Sequence, residues 1–274
     1  MKYLVETQKQ MYQTDGYVSP VDIFSSDEIA EIRKELEMAE ATHGDRLRGP
    51  ARNNPHLVLP VLDRITHETR ILDAVEDLIG HDILVSSTTL FIKEPSSDGF
   101  ISWHQDARYV HMEPYNWVTA WLAISDVDEE NGCMYMMPGT QNEGMKTHED
   151  TYDENNALTR GQTILDIDLS AAKPVELRAG QISFHHPLII HGSGPNRSNR
   201  RRIGFAIQSY IGGNVEQKIG QIHVQQARGD KAQNHVMIPR LNGEMQADDM
   251  ARRDAANEAL GKVFYHGAKK IGRY

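Results

Sequence analysis

Apolar residues recur at helical spacing in three regions of the chain, and between them the spacing shortens to two. Near the start, Ser25-Ser26-Asp27-Glu28 resembles a capping box and leads into Ile29, Ile32 and Leu36. Its acidic first turn, with Arg33-Lys34 downstream, suits the helix dipole. Residues 1–41 therefore predict an opening helix, a connector and a second helix. Within the connector, Asp15-Gly16 turns the chain into a short strand at Tyr17-Val18. Ile71, Leu72, Val75, Leu78 and Ile79 share one side of a predicted helix over 69–79, and Gly80 is a natural residue to end it. A third helix, rich in Ala, Arg and Glu, is predicted over 248–263.

The strand-like regions lie between these helices. Leu84, Ser86, Thr88, Leu90 and Ile92 share one parity of a predicted strand over 83–93. Segment 117–124 is strongly apolar, the acidic stretch 126–132 makes a turn, 133–137 returns as a strand, and Pro138-Gly139 closes it. Three more strands are predicted at 174–177, 181–184 and 203–211, whereas 212–240 follows neither period. Residues 140–172 are polar and acidic until Ile164, a long stretch for a structureless loop, which favours a lid or an insertion. No internal repeat or low-complexity linker is present. Many short strands with turn signals, and helices mostly at the ends, predict a mostly-β fold: a double-sheet barrel with helical decoration. One domain over 1–274 is expected, with a helical part to about 80, a β core over about 83–211 and a C-terminal extension over about 212–274.

Composition narrows the function. With 39% apolar and 25% charged residues in 274, the chain is that of an ordinary globular protein. A net charge of −10 argues against a general nucleic-acid or anionic-membrane binder, yet a local Arg cluster still allows an anionic small molecule. Cys133 is the single cysteine, so neither an intrachain disulfide nor a multi-thiolate metal site can form. Residues 1–7 have no apolar signal region, and no apolar run reaches the roughly 18 residues of a membrane span. A cytoplasmic location is expected.

The candidate chemistry sits in two distant stretches. One is Trp103-His104-Gln105-Asp106 and the other is Phe184-His185-His186 through His191-Gly192-Ser193, with Arg202 beyond. His104, Asp106 and His191 make the two-imidazole, one-carboxylate set of a non-haem Fe(II) site, which leaves coordination positions open. Zinc tolerates the same ligands. On an extended segment His104 and Asp106 point to one face and Gln105 away from it. A co-substrate such as 2-oxoglutarate needs a cation for its distal carboxylate, and Arg binds one bidentately. Arg202 ranks first for that role, with Arg200 and Arg201 as neighbours in register, and the Ser193 hydroxyl can add a donor. His185 and His186 either pack in a strand or orient a ligand. Candidates for substrate contact are Arg52, in a loop that also carries Arg46 and Arg48, together with Lys93, Arg108, Tyr109 and His111.

Residues 180–187 and 191–198 resemble the distal signature of the phytanoyl-CoA dioxygenase family. Trp103-His104-Gln105-Asp106 resembles its proximal signature. Residues 128–134, Pro138-Gly139-Thr140 and Asp15-Gly16-Tyr17-Val18 match further motifs, so the resemblance runs over roughly 10–211. It implies a double-stranded β-helix (a jelly roll, cupin-like), Fe(II), 2-oxoglutarate and dioxygen. It also implies hydroxylation of an aliphatic C–H in a small organic substrate, with release of succinate and carbon dioxide. Carried over, His104, Asp106 and His191 are the metal ligands, Ser193 and Arg202 bind the distal carboxylate, and Thr119 and Trp121 line the same pocket. Halogenating relatives replace the metal carboxylate with Ala or Gly; Asp106 is present here, so the resemblance is to the hydroxylating branch. Two other readings stay open at this stage. One is a non-catalytic jelly roll that binds metal and 2-oxoglutarate as a sensor, and the other a zinc hydrolase. An anionic substrate would be a carboxylate, an amino acid or a phosphonate; which one, and the oligomeric state, are not legible.

Overall fold

The Trp117–Ala123 strand is buried at every position, and the parity of its residues explains why. Val118, Ala120 and Leu122 join a core with residues of the N-terminal helices, while Trp117, Thr119 and Trp121 face a cavity on the other side. The Arg202–Gly212 strand repeats the division. Ile203, Phe205 and Ile207 belong to the helix-side core, and Arg202, Ala206 and Gln208 line the cavity. A sheet covered on both faces reads as a continuous apolar run, not an alternating one.

In this computed structural model residues 2–270 are described. The large sheet orders its strands Tyr17–Asp22, Gln181–His185, Trp117–Ala123, Arg202–Gly212, Ile83–Val85, His223–Arg228 and Val236–Met237. Thr88–Lys93 also pairs with Arg202–Gly212. The small sheet orders Lys173–Val175, Met134–Met137, Ile190–Ser193 and Ile101–His104, all antiparallel. The chain is mostly sheet with flanking helices, and the site lies where the two sheets meet.

Local chemistry accounts for the helix boundaries. Ser25 Oγ accepts the Glu28 amide at 3.3 Å, and the Glu28 carboxylate accepts the Ser25 amide at 2.7 Å, which starts Ser26–His43 as predicted. Thr69–Ile79 ends at Gly80, whose φ of 94° favours a residue without Cβ. Ala247–Phe264 is the predicted C-terminal helix. Pro60–Thr66 is a helix that carried no prediction; it is short, opens on Pro60 and buries Val61, Leu62 and Ile65.

The strand predicted over 83–93 is interrupted at Ser86-Ser87. The ladder continues across the break, because Ser86 donates to the Ser209 carbonyl at 3.0 Å and Gln208 to that of Ser87 at 2.9 Å. Residues 212–240 contribute the His223–Arg228 strand to the large sheet. Residues 140–172 hold two short helical turns, Thr140–Glu143 and Leu169–Ala171, and a two-residue ladder between Glu149–Asp150 and Gln162–Thr163. Among the described residues no helix is long and apolar enough to cross a membrane.

Candidate active site

Strand register brings the two distant stretches together. Ile190–Ser193 runs antiparallel to Ile101–His104 with His191 directly opposite His104, and their ring centroids lie 4.2 Å apart. His104 Nδ1 is 2.8 Å from the Ser102 carbonyl, and His191 Nδ1 is 3.1 Å from that of Ile189. A carbonyl can only accept, so each Nδ1 carries the proton and each Nε2 keeps a free lone pair.

Asp106 reaches the same point by a different route from the one the extended reading predicts. The strand ends at His104, and Asp106 is helical (φ −56°, ψ −38°) at the start of the turn Ala107–Val110. Its Oδ1 lies 3.2 Å from His104 Nε2 and 3.6 Å from His191 Nε2. One donor atom from each of the three residues fits within 4.8 Å of the others. Burial alone would raise the Asp106 pKa, but the nearby His191, His104 and His185 outweigh it and hold the carboxyl well below its usual range. Burial, with the neighbouring His104, pushes His191 well below its own ordinary value. An ionised carboxylate beside two imidazole Nε2 atoms is the donor set a divalent transition metal takes.

The outer oxygen, Oδ2, is held from the large sheet. Thr119 Oγ1 lies 2.7 Å from it, and His185 Nε2 lies 3.3 Å away. Thr119 therefore lines the cavity, with its hydroxyl against the Asp106 carboxylate. Gln105 does point away from the metal face. It is fully buried, donates to the carbonyls of Gly144 (2.9 Å) and Leu188 (2.7 Å), and accepts the Lys146 amide (2.8 Å). It thus ties the start of 140–172 to the approach of the His191 strand.

Arg202 separates cleanly from its neighbours. Arg200 is exposed and pairs with Asp128 at 2.7 Å and Glu130 at 3.1 Å, and Arg201 pairs with Glu40 at 2.8 Å and Glu94 at 3.1 Å. Arg202 is 2% exposed, and among the described residues it has no carboxylate partner. Its Nη1 donates to the Gly132 carbonyl at 2.6 Å, and its Nε is buried without a partner. Its guanidinium lies 5.3 Å from the Trp121 ring centroid. Trp121 can lie there because position 204 is glycine; a Cβ at Gly204 would come within 1.9 Å of the indole. Burial lowers the Arg202 pKa to about 10.

Lys93 was expected among the substrate contacts, yet the structure places it beside Arg202, its cross-strand partner. Its Nζ donates to Ser193 Oγ at 2.8 Å and to the carbonyls of Gly132 (3.3 Å) and Gly194. Burial first, and then Arg202, lower the Lys93 pKa to about 6. Two buried basic side chains, a hydroxyl bonded to one of them and, among the described residues, no carboxylate partner for either suit the binding of a carboxylate. These residues fit 2-oxoglutarate, as the His–Asp–His set fits iron.

A cavity of about 600 Å³ opens over His104, Asp106 and His191. Of the substrate candidates, Arg52 and Tyr109 line it. Arg108 is instead exposed, and His111 turns its ring toward His266 at 6.0 Å; neither lines the cavity. The helical turn after Asp106 rotates successive side chains by about 100°, so Arg108 and His111 cannot follow Tyr109 inward. Arg46 and Arg48 are exposed. Lining residues beyond the predicted contacts include His185, Gln208, Leu158 and Phe264. Leu158 comes from 140–172, and Phe264 from the C-terminal helix. Arg160 joins these two elements, pairing with Asp150 at 2.6 Å and donating to the carbonyls of Phe264 (3.1 Å) and His266 (3.3 Å).

The family profile described as phytanoyl-CoA dioxygenase (PhyH) matches residues 12–204. A probable alpha-ketoglutarate-dependent hypophosphite dioxygenase of Stutzerimonas stutzeri is 26% identical over 223 residues, covering 73% of this chain and 77% of the relative. A probable phytanoyl-CoA dioxygenase of Caenorhabditis elegans is 29% identical over 61% of this chain, which spans 56% of that protein's length. Among solved structures, the apo form of the non-heme monooxygenase ThoJ matches with a TM-score of 0.82 and 31% identity, over 94% of this chain and 98% of the other.

Proposed function

The chain belongs to the phytanoyl-CoA dioxygenase family, and we propose that it is an Fe(II)/2-oxoglutarate-dependent dioxygenase that hydroxylates an aliphatic C–H of a small anionic organic substrate. The observation that carries this reading is the pairing of a three-donor metal set with buried, unpaired Arg202 in one cavity. We read the two sheets as a double-stranded β-helix, a jelly roll of the cupin kind, and the whole of 1–274 as one domain.

In this reading His104, Asp106 and His191 hold iron, and Arg202, Lys93 and Ser193 hold the distal carboxylate of 2-oxoglutarate. Iron, 2-oxoglutarate and dioxygen together supply the oxidising power that an unactivated C–H requires, with succinate and carbon dioxide as by-products. The chain's own residues position and protect. The Ser102 and Ile189 carbonyls fix the imidazole tautomers, and Thr119 fixes the carboxylate. Trp121 backs the guanidinium of Arg202. Leu158 and Phe264 cover the cavity and keep water from the reacting atoms.

Arg52 supports an anionic substrate. Among the described residues its buried Nε has no partner, and its Nη2 lies 4.0 Å from a Glu94 carboxylate oxygen. The side-chain amides of Asn53 and Gln208 stand on the same cavity wall. Hypophosphite, in the name of the Stutzerimonas relative, is itself a small anion. Substrate-dependent succinate release, screened over carboxylates, amino acids and phosphonates beside their neutral esters, tests the proposal. Arg52→Ala is expected to raise KM for the accepted acid roughly tenfold or more, since a hydrogen bond to a charged group is worth about 1.5–3 kcal/mol. An unchanged KM removes the anionic part of the reading. Failure of the wild-type protein to bind Fe(II) or 2-oxoglutarate removes all of it.

Lys93 gives co-substrate binding a pH dependence. With its pKa lowered to about 6, Lys93 is largely neutral at pH 7.5, and an incoming carboxylate restores the charge. Binding should then take up as much as about one proton above pH 6, and affinity should fall as pH rises through that window. Without ligand the sign for stability follows from the same shift. The unfolded chain, with an ordinary lysine pKa, binds more protons above pH 6, so this residue's contribution to stability grows with pH there. Calorimetry of 2-oxoglutarate binding in buffers of different ionisation enthalpy measures the uptake, which Lys93→Met should abolish.

A further inference from the structure

The chain presents a third buried imidazole to the metal carboxylate, and nothing in the three-ligand set uses it. His185 is 1% exposed, lines the cavity, and has its ring centroid 4.8 Å from that of His191. Neither of its ring nitrogens has a well-formed hydrogen bond. A buried imidazole N–H without an acceptor is unfavourable, and the nearby acceptor is Asp106 Oδ2, 3.3 Å from Nε2.

Register makes the contact a built feature. His185 is the cross-strand partner of Thr119, so adjacent strands of the large sheet send two side chains to the same oxygen. Thr119 alone is an insecure donor. Its hydroxyl oxygen lies 2.7 Å from Asp106 Oδ2 and 2.7 Å from the Gln208 carbonyl, and it has one hydrogen for two acceptors. His185 meets no such competition.

We propose that His185 is a positioning residue for the metal centre: with a proton on Nε2, it donates to Asp106 Oδ2 and leaves Oδ1 to the metal. This rests on the metal-site reading above. Contacts of this kind orient a ligating carboxylate and tighten when the site is filled. His185 is not itself a ligand in this arrangement, since the converging donor atoms belong to His104, Asp106 and His191.

The test is calorimetric titration of Co(II) into the wild-type protein, His185→Phe and His185→Gln, followed by 2-oxoglutarate titration of each Co(II)-loaded protein. His185→Phe is expected to weaken Co(II) binding about tenfold or more, as loss of an outer partner of a metal ligand does. His185→Gln, whose amide can still donate, recovers most of that loss, and 2-oxoglutarate affinity stays unchanged in both. Wild-type Co(II) affinity in His185→Phe overturns the proposal, as does an equal loss in His185→Gln. Nitrogen-15 NMR of the Zn(II)-loaded wild-type protein gives a second measurement that needs no variant to fold. The His185 proton is expected on Nε2, and a proton on Nδ1 overturns the proposal. A wild-type protein that binds no Co(II) overturns both this inference and the reading beneath it; the other adverse outcomes overturn this inference alone.

Discussion

Asp106→Ala is expected to reduce substrate-dependent succinate formation to background and to weaken Fe(II) binding by more than about 100-fold. The bound is set by comparison: losing an outer partner of a metal ligand costs roughly 10–100-fold, and Asp106 is a direct donor in the proposed site. The physical reason is charge. Asp106 is the one anionic member of the set, and its carboxyl is held well below the ordinary range by His191, His104 and His185 against the pull of burial. Two neutral imidazoles would remain to hold a divalent cation in a desolvated cavity. Thr119 would keep the Gln208 carbonyl as an acceptor, while His185 would lose its nearest one. Anaerobic Fe(II) titration and a succinate assay measure the two effects separately. A variant that retains a tenth of wild-type turnover would remove Asp106 from the metal set and with it the proposed reaction.

Much of this site is legible in the chain because its groups lie in short, chemically distinctive stretches. His104 and His191 face one another through a strand register that motif spacing anticipates only as proximity. Asp106 was paired with His104 by strand parity, whereas the structure achieves the same convergence with a helical turn. Residue type carried that expectation, and the assumed geometry did not. The motif offset ranks Arg202 first, but separating it from Arg200 and Arg201 needs tertiary information, since all three are identical in type and only their acidic neighbours and burial distinguish them. Lys93 shows the reverse limit. Its place beside Arg202 depends on which strand flanks the Arg202–Gly212 strand, a pairing that no local period encodes. For the same reason Leu158 and Phe264 could not be foreseen in one cavity with His104, because each comes from an element brought there by non-local contacts such as those of Arg160. The break at Ser86-Ser87 is not legible in the chain because the residue pattern of a strand continues through it, and burial is unbroken from Ile83 to Leu90.

Arg202→Met is expected to move stability and co-substrate affinity in opposite directions. Arg202 is 2% exposed, has one hydrogen bond to a carbonyl and, among the described residues, no counter-ion. An isolated buried charge opposes folding, so an apolar side chain of similar length should make the ligand-free protein more stable, by roughly 1–4 kcal/mol if it behaves like other buried ionic groups replaced by apolar ones. The same substitution removes the cation that a distal carboxylate would meet. Truncating one partner of a buried charged pair costs about 2–5 kcal/mol, which corresponds to a loss of 2-oxoglutarate affinity of roughly 30-fold to several thousandfold. Arg202→Lys tests geometry as well as charge, because an ammonium cannot make the bidentate contact, and it should recover only part of the loss. Chemical denaturation without ligand and calorimetric titration of 2-oxoglutarate measure the two signs. If Arg202→Met destabilises the ligand-free protein and leaves 2-oxoglutarate affinity intact, then Arg202 is a structural cation serving the Gly132 carbonyl and the co-substrate binds elsewhere. If the signs diverge as expected, the unpaired charge is stability given up in the empty protein for a site that is complete only when the dicarboxylate is bound.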